Sequence, residues 1–162
     1  MAYQTIKLKK HSDVIQEFEA HSTIIPGMLV ALNSDNEVYP HPVSSGNAVP
    51  SFALEDELQG KGIDDDYAAG DRVQVWVAGR GDEVNALLKD EQTIVIGQFM
   101  ESDGEGRLQA YVADHPDSSG YIYPLQIVAV ALEAKDLSTL PEGSESSAGG
   151  TYHNPRIRVM VV

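Results

Sequence analysis

The sequence contains no cysteine. Disulfide staples, thiol catalysis and thiolate metal centres are therefore excluded, and a chain without disulfides is compatible with a reducing cytosol. Bases are scarce: 11 Lys and Arg stand against 25 Asp and Glu, giving a formal net charge of -14. Nucleic acids are gripped through clustered cations and anionic bilayers attract polybasic segments, so neither is an expected partner. Long apolar runs are missing as well. The longest, residues 127–132, is far too short to cross a bilayer. Residues 1–10 lack the apolar core of a secretion signal. The expectation is a soluble protein that remains in the compartment of its synthesis, whose acidity keeps it soluble at high local concentration.

What the chain does contain is an ordinary globular share of hydrophobic residues, 42% of 162, enough for one domain with its own core. The apolar pattern has mostly a period of two. Residues 72–78 are the clearest case, with Val73, Val75 and Val77 facing one way and Arg72, Gln74 and Trp76 the other. Residues 5–9, 28–32, 37–39, 52–54, 83–87, 93–100, 108–113, 126–133 and 156–162 read as further strands. Turn chemistry stands between them: Asn-Ser-Asp-Asn at 33–36, Gly-Arg-Gly-Asp at 79–82, Asp-Gly-Glu-Gly at 103–106 and a turn at 115–120. Residues 12–20 read as one short helix capped by Ser12-Asp13, with Val14, Ile15 and Phe18 on its buried stripe. Residues 40–50, 60–66 and 138–154 read as loops, the last long and mobile. This pattern predicts an all-β barrel or sandwich with at most one short helix.

Chemistry-bearing motifs are absent or incomplete. The histidines, His11, His21, His41, His115 and His153, show no metal-binding spacing. Asp64-Asp65-Asp66 lacks the alternation of a calcium loop and reads as a solvated loop. Gly60-Lys61-Gly62 starts like a phosphate loop but has no continuation. No G-x-S-x-G elbow occurs. Arg80-Gly81-Asp82 matches an adhesive tripeptide, but turn formation is sufficient to explain it. No catalytic, cofactor-binding or metal-binding residue is expected, and no cofactor. Trp76, the only tryptophan, lies on the polar face of the best strand. It is expected either to close one end of a barrel or to sit in a subunit interface.

Three segments resemble the small capsid decoration, or cement, proteins of tailed phages with HK97-type shells. They are TIKLKKHSDVIQEFEAHSTIIPGMLVAL, FALEDELQGKGIDDDYAAGDRVQVWVAGRGDEVNALL, and IVAVALEAKD together with RIRVMVV. The resemblance implies a compact β-tulip barrel over residues 27–162 with an extended N-terminal arm over residues 1–26. It implies a homotrimer on the outer surface of the virion, made in the bacterial host cytoplasm and bridging subunits of the major capsid protein. The insertion at 138–154 departs from the family's pattern. Lys7, Lys9 and Lys10 suggest a basic tether to an acidic shell, or lysines that guard an edge strand against aggregation. The candidate capsid and subunit contacts are thus Ile6, Lys7, Leu8, Lys9, Lys10 and Trp76. The alternatives are another phage structural module, such as a head-fibre base, a tail-tube or head-completion protein or a capsid-protein domain, and, from a different class, a small β-barrel enzyme.

Overall fold

The computed structural model describes residues 4–10, 14–113, 124–139 and 155–162. Among these residues the strands are β1 (Lys7–Lys9), β2 (Val14–Ala20), β3 (Val30–Leu32), β4 (Glu37–Pro40), β5 (Ser51–Ala53), β6 (Arg72–Val77), β7 (Glu83–Leu87), β8 (Thr93–Ile94), β9 (Phe99–Ser102), β10 (Leu108–Ala110), β11 (Ala129–Ala131), β12 (Lys135–Asp136) and β13 (Arg156–Val161). The sole helical element among them is a 3₁₀ turn, Glu57–Gln59, whose first turn is capped by the Asp56 side chain.

The strands fall into a six-stranded sheet, β1-β7-β13-β11-β9-β10, a five-stranded sheet, β3-β4-β2-β6-β5, and the pair β12-β8. Both larger sheets curl back on themselves. Leu88, just after β7, makes a parallel bridge to Leu108 in β10, and the Lys89 N–H donates to the Leu108 carbonyl at 2.9 Å. In the smaller sheet Leu29 bridges Phe52, and the Ala53 N–H donates to the Met28 carbonyl at 2.9 Å. Short, strongly twisted strands permit such tight curling. The nearly all-β architecture expected from the sequence is what the chain forms.

Period-two alternation dictates the core. In β13, Ile157, Val159 and Val161 face inward, opposite Ala86 and Val84 of β7 and Ala131 and Ala129 of β11. They belong to a large buried cluster that also draws Phe52, Leu54 and Trp76 from the smaller sheet. A second cluster, with Phe18, Val30, Val38, Tyr67 and Val75, fills the inside of the smaller sheet. The seam between the sheets passes through Gly27, whose N–H donates to Ala53 of β5 while its carbonyl accepts from Leu87 of β7. Beside it the buried Arg156 guanidinium donates to Asp64 Oδ1 at 2.9 Å, to the Pro26 carbonyl at 3.1 Å and to the Ile63 carbonyl. Burial pulls its pKa down, while Asp64 opposes the shift.

Three expectations are corrected. Residues 14–20 form β2 rather than a helix, paired with β6 over six residues from Val14↔Val77 to Glu19↔Arg72. Their two β-branched residues and a ready partner strand outweigh a marginal helical stripe. Residues 93–100 are not one strand, because a turn at 95–98 separates β8 from β9. Gly97 adopts φ +85° there, and the Gln98 side chain accepts from the Val95 N–H at 3.2 Å. In the described part of residues 1–26, the extended N-terminal arm of the resemblance, Ile6 is fully buried, β1 pairs with β7 and β2 lies between β4 and β6. Trp76 is not on a polar face, since β6 is packed on both sides and the indole is fully buried. The turn at 115–120 and residues 140–154 of the predicted loop lie outside the described residues.

Candidate functional site

The candidate contacts divide into two groups. Ile6 and Trp76 are fully buried in the larger cluster and present no surface to a partner. Lys7, Leu8, Lys9 and Lys10 come together along a groove of about 470 Å³, faced from the other side by Leu54, Glu55, Leu58 and Gln74. The groove follows β1, the edge strand of the six-stranded sheet. Glu55 fixes this strand's approach by accepting from the Thr5 hydroxyl and from the Ile6 N–H at 3.2 Å. Lys9 reaches Glu83 at 3.8 Å, a long pair whose lysine is exposed and whose carboxylate is buried. The lysines thus form a cationic rim on a chain of net charge -14.

A second cavity escaped sequence reasoning. The smaller curled sheet is closed at one end by the Ile24↔Tyr67 bridge. Elsewhere its interior opens in a mouth of about 360 Å³ with Phe18, Val30, Val38 and Val75 lining it and Leu32 and Val49 exposed at the rim. No Asp, Glu, Lys or Arg lines this mouth. His41 does, with both ring nitrogens engaged: Nε2 with the Asn47 carbonyl at 2.9 Å and Nδ1 with Ser102 Oγ at 2.8 Å. A neutral ring that donates from Nε2 to the carbonyl accepts from the serine at Nδ1. The sequence signal for the mouth was slight: inward residues of short strands, edged by His41, Asn47 and Val49 of a loop.

The remaining polar clusters serve the fold. Glu101 is fully buried and accepts from Ser45 Oγ at 2.8 Å, Gln109 Nε2 at 3.1 Å and Gln126 Nε2 at 2.7 Å, which satisfies a buried carboxylate. Asp103 accepts from the backbone N–H groups of Glu105 and Arg107 and from Arg107 Nε at 2.7 Å, locking the hairpin between β9 and β10. Asp82 of the Arg-Gly-Asp tripeptide is fully buried and accepts from the Gly79 N–H at 2.7 Å. Its carboxylate belongs to the turn and is withheld from any partner. Asp64 serves the Arg156 clasp and Asp65 accepts from the Gly62 N–H at 2.7 Å. His21 pairs with Glu37 at the surface, 2.8 Å away, whereas His11, His115 and His153 lie outside the described residues. Among the described residues no group of three or more His, Asp or Glu is placed to hold a metal ion.

No family model and no curated protein matches the sequence. A solved structure is similar to it in fold: the N base of the head fiber protein gp8.5 of bacteriophage phi29. The TM-score is 0.51 at 11% sequence identity, over 92% of this chain and 93% of that one. At that identity the likeness is one of fold, and it runs nearly end to end in both chains.

Proposed function

We propose that this chain is a non-enzymatic structural protein of a tailed-phage head, carried on the outside of the assembled shell. Its architectural model is a head-fibre base, and its partners are the major capsid protein and further copies of itself. The observation that supports this reading is the correspondence with the phi29 head-fiber base, which covers almost the whole of both chains. The polar clusters agree with it. Asp82, Glu101 and Asp103 are spent on turns and strand packing, as befits a body that must be rigid. The face toward the shell is the groove rimmed by Lys7, Lys9 and Lys10, where cations on an acidic body steer it toward an acidic surface. Neither nucleic acid nor membrane is a partner in this reading.

A second reading is favoured by the three sequence segments that resemble decoration proteins. In it the chain binds at many lattice positions and cements the shell by mass action, because it binds assembled capsid and not free subunits. Electron microscopy of particles bearing the protein separates the two. A fibre base appears as projections at a restricted set of positions, and a cement appears as density over the whole shell that raises the disruption temperature of heads. Failure of the purified chain to co-sediment with heads overturns both.

A further inference from the structure

We infer, resting on the phage-head reading, that the lysine groove takes an extended acidic segment of a shell protein, added as a strand to the open edge of β1. Other strand edges are occupied. β10, at the far end of the six-stranded sheet, is bridged by Leu88, and β5 of the smaller sheet is bridged by Leu29. β1, at the near end, pairs with β7 alone among the described strands. An edge strand turns backbone N–H and C=O groups outward, where another extended chain can bond to them. The groove runs along that edge, with Lys7, Leu8, Lys9 and Lys10 on one wall and Leu58 on the other.

Charge selects the occupant. Lys7, Lys9 and Lys10 are three of the 11 bases in a chain of net charge -14. Of the two acids along the groove, Glu55 is buried and engaged by the Thr5 hydroxyl and the Ile6 N–H, which leaves Glu57 on the opposite wall. Glu83 does not consume Lys9, since Arg158 holds that carboxylate at 2.6 Å and Lys9 stands 3.8 Å away. A second β1 is refused at this edge, because lysines would face lysines and like charges across a strand pair repel. An acidic strand meets the same lysines with attraction. Leu58, 85% exposed on the 3₁₀ turn, offers an apolar contact across the groove. Because a strand alternates its side chains, the segment that fits carries acids at every second position and aliphatic residues between them.

The test uses the full chain and a short synthetic peptide of alternating Glu and Val, followed by fluorescence anisotropy. Saturable binding that weakens as salt rises is expected. Lys7→Gln with Lys9→Gln, and separately Leu58→Asp, are each expected to bind roughly tenfold or more weakly. None of the three residues is buried, so melting by circular dichroism stays near wild type. Lys7→Arg with Lys9→Arg keeps both charges and is expected to retain binding, which holds the test open should the Gln variant fail to fold. The decisive probe is the same peptide N-methylated at two adjacent central residues. It keeps every side chain and loses the backbone donors that strand pairing needs, so it is expected to bind roughly tenfold or more weakly. Absent binding, a methylated peptide that binds as well, undiminished lysine variants, or equal affinity for oligothymidylate overturns the inference and leaves the lysines as guards of an edge. Heads that still co-sediment with a chain that ignores the peptide keep the phage-head reading and remove this inference alone.

Discussion

Gly27 ties the two sheets together through its own backbone, and its surroundings would crowd a side chain. Its φ is +93°, and a Cβ there would lie 3.1 Å from the Asn85 carbonyl oxygen and 3.4 Å from Arg156 Nε. Gly70 has a similar φ of +88° but nothing within 4 Å. Gly70→Ala therefore pays for backbone conformation alone, about 1 kcal/mol. Gly27→Ala adds crowding against fixed backbone and is expected to cost about 2–3 kcal/mol. Urea midpoints with unchanged slopes measure both, and equal losses would remove the crowding argument. Tyr67 gives a pH signature. Its phenol is buried and donates to the Leu54 carbonyl at 2.9 Å. Burial, and then the negative charge of Asp56, raise its pKa from 10.0 to about 12. A folded state that holds its proton more tightly than the unfolded state is favoured below pH 10 and loses that advantage as pH rises from 10 to 12. Tyr67→Phe is expected to be about 1 kcal/mol less stable at neutral pH and to show a shallower decline across that alkaline window. Parallel declines for the two proteins would contradict this.

At the scale of elements, the lysine-bearing strand β1 is both a structural edge and a candidate contact, and substitution separates the roles. Removing residues 1–10 would take Ile6 out of the core, so loss of head binding in such a deletion says nothing about the lysines. Lys7→Glu with Lys10→Glu leaves Ile6 and its bonds to Glu55 in place. The expected outcome is a wild-type melting temperature with weaker, less salt-sensitive co-sedimentation with heads; undiminished binding would reduce these lysines to edge protection. The elements legible in the sequence were those whose periodicity met its own requirement. Residues 72–78 became β6 and residues 156–162 became β13. Asn33 marked its turn because its side chain accepts from the N–H groups of Asp35 and Glu37, both at 2.9 Å. Residues 14–20 were ambiguous because spacing alone does not reveal that β6 offers a partner edge. Residues 93–100 misled because Val95 and Ile96 imitate a strand, and only the positive φ at Gly97 breaks it. The lysine groove was legible in outline from three bases close together. The apolar mouth was not, since it arises from curling, a property of five strands at once.

At the scale of the whole molecule, the two sheets depend on one another. The larger cluster takes Leu29, Phe52, Leu54 and Trp76 from the smaller sheet and its flanks, and Val84, Ala129, Ile157 and Val159 from the larger. Neither sheet buries that apolar face without the other, so separate unfolding would expose it to water. The chain is therefore expected to unfold in one step, with tryptophan fluorescence and far-ultraviolet circular dichroism reporting the same urea midpoint. Trp76 sits within this shared cluster and gives the sharper measurement. Its ring is fully buried, yet its Nε1–H finds no acceptor among the described residues, and a buried donor left unpaired costs about 1–3 kcal/mol. Two opposed terms thus act at one residue, and two substitutions separate them. Trp76→Ala removes the ring and leaves a cavity, at an expected cost of about 3–5 kcal/mol. Trp76→Phe keeps most of the apolar volume and removes the unpaired donor, so its smaller cavity is partly offset and the loss should stay within about 2 kcal/mol. Circular dichroism in urea reads both. A Phe variant as unstable as the Ala variant would mean that an acceptor for the indole N–H exists and that the ring's polar edge, not its bulk, joins the two sheets.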